Sequence, residues 1–191
     1  MNVKSLLYTG VLIPVIFWAG IFLAGFIDGG YDHVTMTVSG PGALGQPAQP
    51  FMSAMCLLCA VLSLFFIAGM FRALRALQAS VRPVFTILAF TITIAWAGAF
   101  PMGHPLHAAT GFVLPGVNVG MLLAFILWRG RPKLSVARWA SLLCFGVMSM
   151  IFLRFVPSLQ NHYRGLIQRT AHAGWSLWFG VLSWQLQKHV I

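Results

Sequence analysis

The stretch SLLYTGVLIPVIFWAGIFLAGFI, residues 5–27, contains no charged side chain. A helix needs about 20 consecutive apolar residues to cross the hydrocarbon layer of a membrane, and this run is long enough. It is also longer than the apolar core of a signal peptide, and no A-x-A-like cleavage site follows it. The stretch therefore predicts a first membrane-spanning helix that is retained in the protein.

The composition extends this prediction to the whole chain. Of 191 residues, 59% are hydrophobic and 7% are charged, which excludes a soluble domain with a solvated surface. We predict an all-α integral membrane bundle of six transmembrane helices, which forms a single domain over residues 1–191. The predicted spans are about 5–27, 51–72, 83–100, 106–128, 138–158 and 165–187.

The basic residues predict the orientation of this bundle. The net charge is +10, but the lysines and arginines lie mainly in or beside the short loops, so we exclude nucleic acid as a partner and apply the positive-inside rule. Nine of them fall on one side, and three fall near the other. Both termini are therefore predicted to be cytoplasmic, and we expect a bacterial inner membrane. The nine are Lys4, Arg72, Arg75, Arg82, Arg129, Arg131, Lys133, Arg138 and Lys188; the three are Arg154, Arg164 and Arg169.

The other ionisable residues collect on the outward side. The two acids, Asp28 and Asp32, fall there, as do five of the six histidines, whereas His189 is cytoplasmic. This distribution predicts a polar pocket that opens to the outer leaflet, roofed in part by residues 28–50. The five histidines are His33, His104, His107, His162 and His172.

Three blocks of the sequence carry a family resemblance. They are DHVTMTVSGPGALGQPAQPF (32–51), AGAFPMGHPLHAATG (97–111) and GLIQRTAHAGWSLWF (165–179). In this order and spacing they resemble the signature blocks of the domain-of-unknown-function family 998, which is grouped with DRAM-like proteins. The resemblance implies a six-helix membrane fold with a pattern of features near the outer face. The sequence departs from it at Gly103, because family members often carry an aspartate soon after the Phe-Pro pair.

A first interpretation of the pocket is a binding surface. An arginine within a span normally finds a partner, so Arg154 is predicted to pair with Asp28 or Asp32. Arginines and helix N-termini suit an anionic lipid head group, or a hydrogen-bonded network that fixes the outer loops. We expect membrane lipids as partners, or an accessory role in a larger membrane complex or homo-oligomer. The predicted binding residues are Asp32, His33, Ser39, Arg154, Gln168 and Arg169.

A second interpretation is a zinc site. His104, His107 and His172 would supply three ligands and leave a position for water, with Asp32 or Ser39 assisting catalysis. Such a site would suit hydrolysis of a lipid ester or amide. The residue types are similar to those of ceramidase-like membrane hydrolases, although the HxxxH spacing of that group is absent.

A third interpretation is a single b-type heme held by two of the histidines. Quinol-linked cytochromes that move electrons across a bilayer usually need hemes toward both faces, and the cytoplasmic side has no histidine pair. The sequence leaves one heme, the zinc hydrolase and the binding surface open as alternatives.

Other residues predict packing. Cys56 and Cys59 form a CxxC within a predicted span, where small polarizable side chains pack well. Asn118, in GVNVG, predicts close helix contact with an interhelical hydrogen bond. The tryptophans lie mostly near predicted helix ends, which is typical of an interfacial belt. They are Trp18, Trp96, Trp128, Trp139, Trp175, Trp178 and Trp184.

Overall fold

A computed structural model describes residues 2–190, without the side chain of Phe112. Within these residues the chain forms eight α-helices and no strand. The α-helices are α1 (Val3–Asp28), α2 (Gln49–Ala76), α3 (Arg82–Phe85), α4 (Ile87–Ala99), α5 (Thr110–Val113), α6 (Pro115–Leu127), α7 (Ser135–Ser149) and α8 (Pro157–Gln187). Short 3-10 helices occupy Gly40–Gly42, His107–Ala109, Pro132–Leu134 and Met150–Phe155.

Four helical segments are long and apolar enough to cross a membrane, which confirms the all-α class and supports a membrane protein. They are Val3–Asp28, Gln49–Ala76, Arg82–Ala99 and Pro132–Phe155. The predicted fourth span is shorter as a helix, because the chain enters it through a 3-10 turn and α5 before α6 begins at Pro115. Helix α8 has the length of a span but is more polar, since Gln168, Arg169 and Gln185 lie on it.

One end of the bundle holds the start of α1 and the ends of α2 and α8. A Cβ atom at Gly69 of α2 would lie 2.9 Å from the backbone nitrogen of Leu7, so the two helices are in close contact there. The Ser183 hydroxyl on α8 donates to the Leu7 carbonyl at 2.6 Å. Gln185 donates to the Lys133 carbonyl at 2.8 Å, which places the start of α7 at the same end. We call this the basic end. The nine lysines and arginines of the predicted cytoplasmic side lie in the connections at this end or in the helical turns next to them.

The opposite end is formed where α1 stops at Asp28 and α2 begins at Gln49. The connecting loop, residues 29–48, packs there against the start of α8, and we call this the loop end. The 26 residues of α1 rise about 39 Å, which separates the two ends by roughly the thickness of a bilayer.

The core is aromatic, and three tryptophans are part of it. Trp175 lies 4.5 Å from Phe90 and 5.1 Å from Phe17, measured between ring centroids. Trp128, Trp175 and Trp178 are fully buried. The interfacial-belt prediction is therefore wrong for these three residues, whereas Trp139 and Trp184 are exposed.

Hydrogen bonds explain why indoles are tolerated inside the bundle. A buried indole N–H needs an acceptor. Trp178 donates to the Ser141 hydroxyl at 2.8 Å, and Trp128 donates to the Ser80 carbonyl at 3.0 Å. Each bond joins segments that are distant in sequence, so each tryptophan acts as a crosslink that helical periodicity does not reveal.

The smaller packing predictions have different outcomes. Cys56 and Cys59 are buried, free thiols, in agreement with a packing role. Asn118 is also buried, as close helix contact requires. Its Oδ1 atom accepts no hydrogen bond from the described part of the chain, so the predicted interhelical bond is not formed through that atom.

The contact at Gly69 generates a stability prediction. Alanine is favoured over glycine in a helix by roughly 0.5–1 kcal/mol, but Gly69→Ala places a methyl group against α1 and should cost about 1–3 kcal/mol by overpacking. Gly180→Ala on α8 is the matched control, because a Cβ there meets no atom within 4 Å. Thermal unfolding in detergent, followed by circular dichroism, should show a lower Tm for the first variant only. Equal Tm values for the two variants would contradict the close contact.

Candidate functional site

A kink in α8 allows the loop to dock. Tyr163 has φ −131° and ψ 20°, outside the helical region, so the helix starts again after it. The backbone N–H of Leu166 donates to the Val34 carbonyl at 3.0 Å, whereas in an uninterrupted helix it would donate four residues back, to residue 162. A loop carbonyl thus satisfies a donor that the kink sets free.

Two neighbouring residues of α8 hold the same part of the loop. A Cβ atom on Gly165 would lie 2.8 Å from the Val34 carbonyl oxygen, so the missing side chain is what lets the backbones approach. Arg164 is exposed, and its Nε donates to the Thr35 carbonyl at 2.7 Å. The loop backbone therefore lies directly on the start of the resumed helix.

Arg169 is the centre of the docked arrangement. It is only 9% exposed, and its guanidinium donates to the Met36 carbonyl at 2.9 Å, to His33 Nδ1 at 3.0 Å and to the Tyr31 hydroxyl. The Tyr31 ring centroid lies 5.3 Å from the guanidinium carbon. The Nε atom has no partner within residues 2–190, and no carboxylate there is hydrogen-bonded to the group. Neutral acceptors alone hold this buried cation.

Tyr31 connects the arginine to the next part of the loop. Its hydroxyl accepts from Arg169 and donates to the Thr37 carbonyl at 2.6 Å. Burial raises the pKa of Tyr31, although the adjacent guanidinium acts in the opposite direction. The phenol therefore stays protonated at neutral pH and keeps its donor.

His33 is held in its neutral form. A guanidinium can only donate, so His33 Nδ1 must carry a lone pair when it accepts from Arg169. Burial lowers the pKa of His33, and the charge of Arg169 lowers it further, while Asp32 acts weakly in the other direction. The remaining neighbours are aromatic: the ring centroids of Tyr31 and Phe22 lie 4.9 and 5.1 Å away.

Asp32 and Gln168 complete the docking. The Asp32 carboxylate accepts from the Thr35 hydroxyl at 2.6 Å and from the Val34 N–H at 2.9 Å. These two bonds lower the pKa of Asp32. Gln168 Oε1 accepts from the Val38 N–H at 2.8 Å. We call the side chains that join the loop to α8 the docking cluster: Tyr31, His33, Arg164, Gln168 and Arg169.

The segment that carries His104 and His107 lies against the other side of the loop. Ser39 donates weakly to the Met102 sulfur at 3.7 Å, and the Leu44 N–H donates to the Met102 carbonyl at 2.8 Å. Ser39 and His107 line one cavity of about 30 Å³, together with residues of α2 and α4. This volume is about that of one water molecule and is far below the roughly 300–1,000 Å³ of a ligand pocket.

The rings of His104 and His107 form hydrogen bonds with nearby backbone groups. The ring Nδ1 of His107 lies 2.7 Å from the Phe100 carbonyl, to which it donates. Nδ1 of His104 accepts from the Leu106 N–H at 3.1 Å. These bonds fold the connection between α4 and α5.

His172 lies on α8, and its ring faces α1. Its Nδ1 accepts from the Trp175 indole at 2.8 Å, and its ring centroid lies 5.0 Å from that of Phe17. Across residues 2–190, no group of three or more His, Cys, Asp or Glu side chains is placed to hold a metal ion. The predicted zinc ligands His104, His107 and His172 are therefore not brought together, and the small cavity beside His107 has no room for a heme.

The predicted ion pair of Arg154 is corrected by the structure. Helix α7 ends at Ser149, and the 3-10 turn that follows leaves Arg154 exposed, with its guanidinium carbon 5.8 Å from the Phe155 ring centroid. The Asp32 carboxylate is used inside its own turn instead. The prediction failed because it assumed that the span continues as an α-helix through Arg154.

The structure brings together His33, Gln168 and Arg169, which the sequence predicted as binding residues, and adds two further residues to them. Tyr31 is absent from the predicted residues, because a tyrosine next to a glycine pair is ordinary at a membrane interface. Arg164 is one of the three outward-side arginines to which the binding-surface interpretation assigned an anionic head group. A usable signal was the adjacency of Tyr31, Asp32 and His33 in a chain with few polar residues.

Comparison with known proteins gives one family. The family model described as a protein of unknown function (DUF998) matches residues 11–185, which is most of the chain. This match confirms the resemblance drawn from the three sequence blocks. No curated protein and no solved structure matches the chain.

Removal of the central cation should release the loop. Arg169→Gln cannot donate to Tyr31, His33 and Met36 at once, and the loss of hydrogen bonds from a charged donor should cost about 3 kcal/mol of docking free energy. Hydrogen exchange should then accelerate at residues 31–38. The control is Arg154→Gln, because the exposed Arg154 side chain forms no hydrogen bond with the loop within residues 2–190, and exchange in this variant should match the wild type. Wild-type protection in Arg169→Gln would contradict the central role of Arg169.

Docking should also weaken in acid. The pKa of His33 lies below its ordinary 6.5 in the docked loop, so the undocked loop takes up a proton first as the pH falls. Docking is then at full strength above about pH 6.5 and is lost as the pH falls below it. Asp32 is protonated only at lower pH than this, because its pKa lies below 3.8.

Hydrogen exchange of residues 31–38 between pH 5 and 7.5, corrected for the intrinsic rates, measures this effect. His33→Gln should remove the pH dependence. His162→Gln should retain it, because exposed His162 bonds only to the Ser158 carbonyl within its own helix. The same pH dependence in wild type and His33→Gln would exclude His33 as the titrating group.

Proposed function

The chain belongs to the DUF998 family, and we propose that it is a six-span integral membrane protein that binds anionic lipid at its loop end. In this proposal both termini are cytoplasmic, because the basic end carries nine of the twelve lysines and arginines. The loop end then faces the outer leaflet of the membrane. In a bacterium this membrane would be the inner membrane.

The observation that carries the lipid proposal is the surface Met150–Arg164, which we call the lipid-facing segment. Several of its apolar side chains are exposed, with Phe155 at 74% and Phe152 at 55%. Arg154 and Arg164 are exposed on the same segment. Aromatic rings buried at the depth of the acyl boundary, with arginines reaching the phosphates, are the arrangement expected for an anionic membrane surface.

The docked loop sets the position of one of these arginines. Arg164 Nε is bonded to the Thr35 carbonyl, which fixes the side chain and leaves the end of the guanidinium exposed. A side chain that is already ordered loses less entropy when it binds a phosphate. The docking cluster thus supports lipid binding by presenting a cation.

Acidic side chains do not compete for the arginines. Asp32 is the one acid of the loop 29–48, and its carboxylate accepts hydrogen bonds from Val34 and Thr35. Within the described chain, neither Arg154 nor Arg164 forms an ion pair. Their charges are available to an anion from outside the protein.

The binding surface in this proposal is open. The cavity beside His107 holds about one water molecule, so a head group would lie on the lipid-facing segment and not inside the bundle. The distribution of polar residues predicted a pocket that opens to the outer leaflet under a partial roof, and this proposal places the head group on an exposed surface instead. The alternative of an accessory role in a larger membrane complex is an outcome of the test.

Photo-crosslinking in proteoliposomes tests the proposal. A photoreactive phosphatidylglycerol should label residues 150–166 more than a matched phosphatidylcholine does. Each arginine near an anionic surface contributes about 1 kcal/mol, so Arg154→Gln should reduce this preference about fivefold. Arg82→Gln removes the same charge at the basic end and should leave it unchanged. Equal labelling by both lipids, or protein-to-protein crosslinks instead, would overturn the lipid proposal.

A further inference from the structure

We propose a second anion site at the basic end, in a cleft that takes a phosphate group carried either by a lipid head group or by a small soluble molecule. The cleft has a volume of about 450 Å³, within the range of ligand pockets. One wall is the end of α2 with the residues that follow it, 76–78, and the other is the turn 131–134 before α7. It lies at the opposite end from the lipid-facing segment and uses none of its residues.

The charge of the cleft favours an anion. Arg131 and Lys133 line it, and both side chains are exposed. The acids of the chain, Asp28 and Asp32, lie at the loop end, about 39 Å away along α1. No acidic side chain offsets the two cations, so the field in the cleft is positive.

Buried hydrogen bonds hold both walls in place. Gln185, which is 7% exposed, donates to the Lys133 carbonyl at 2.8 Å and fixes the turn. Trp128, which is fully buried, donates to the Ser80 carbonyl at 3.0 Å and fixes the chain after α2. The cleft is therefore formed before a ligand arrives, which lowers the entropic cost of binding.

The floor and the rim of the cleft differ in polarity. Leu134 is buried, and Leu77 is half-buried, so the inner surface can contact the carbon atoms next to a phosphate. The cations stand at the exposed rim. A phosphate ester with a short apolar part, such as the glycerol phosphate portion of a phospholipid, matches this division.

Gln78 belongs to the turn that ends α2 and also lines the cleft. It is the one non-glycine residue with positive φ among residues 2–190, at 50°. The Ala79 N–H donates to the Leu74 carbonyl and the Gln78 N–H donates to the Arg75 carbonyl, which is the usual left-handed end of a helix, where glycine is the favoured residue. The Gln78 side chain is exposed, and in this proposal its amide donates to a phosphate oxygen.

Two probes separate the possible sources of the phosphate. Native mass spectrometry measures the retention of phosphatidylglycerol against phosphatidylcholine by the purified full-length protein. The shift in Tm with glycerol 3-phosphate measures binding of the soluble ester. We expect Arg131→Gln/Lys133→Gln to weaken binding of the favoured probe about 30-fold, since each cation contributes about fivefold. The control Arg72→Gln/Arg82→Gln has the same charge at the same end, but outside the cleft, and should bind like wild type.

Each outcome decides between sources or against the site. If the cleft variant loses phosphatidylglycerol retention and the control does not, the ligand is a lipid. If the cleft variant loses the Tm shift with glycerol 3-phosphate and the control does not, the ligand is a soluble ester. Equal behaviour of the cleft variant and the control with both probes overturns the site. A failed crosslink at residues 150–166 has no bearing on this result, because the variants lie at opposite ends.

Gln78→Gly separates ligand binding from folding. Glycine relieves the positive φ, so the Tm without ligand should be equal to or above that of wild type. Loss of the amide donor should weaken binding about fivefold. Unchanged binding in Gln78→Gly would remove the amide from the site, and a lower Tm would contradict the preference for glycine.

Discussion

A buried guanidinium without a carboxylate partner determines how the loop end is built. Removal of a cation from water is costly unless its donors are satisfied. The two terminal nitrogens of Arg169 meet this requirement with a carbonyl, a phenol and an imidazole, all from the loop 29–48, whereas its Nε has no partner in the described chain. The loop must therefore turn its backbone toward α8. The kink at Tyr163 and the bare backbone of Gly165 make that approach possible.

The hydrogen bonds of Arg169 also determine the protonation states of the polar residues around it. His33 must be neutral to accept from Arg169, and Tyr31 must keep its proton to reach Thr37. Asp32 shapes the turn that carries both of them. Asp32, which the zinc interpretation placed in catalysis, is thus engaged in holding a turn of the loop. The exposed residues of the same end, chiefly Arg154 and Arg164, are the ones free to meet a ligand.

The two ends of the bundle offer different ways to bind an anion. At the loop end the arginines stand on an open apolar surface, which suits lipid in the plane of the membrane. At the basic end Arg131 and Lys133 stand on the rim of a cleft whose walls are fixed by Trp128 and Gln185. With its acids confined to the loop end, the chain leaves the cations at the basic end uncompensated. In the two proposals, this charge distribution lets the protein contact phosphate groups at both ends of the bundle.

The sequence by itself determined the helical class, the family and the sorting of basic and acidic residues to opposite ends, because long apolar runs and loop charges are local properties. It also placed His33, Gln168 and Arg169 among six predicted binding residues, and the structure joins these three by hydrogen bonds to the loop or within it. Only the tertiary structure decided which acceptors Arg169 uses, that Trp175 belongs to the core, and that His172 lies apart from His104 and His107. These outcomes depend on the kink at Tyr163 and on contacts between segments more than 100 residues apart, which side-chain spacing along one helix cannot report.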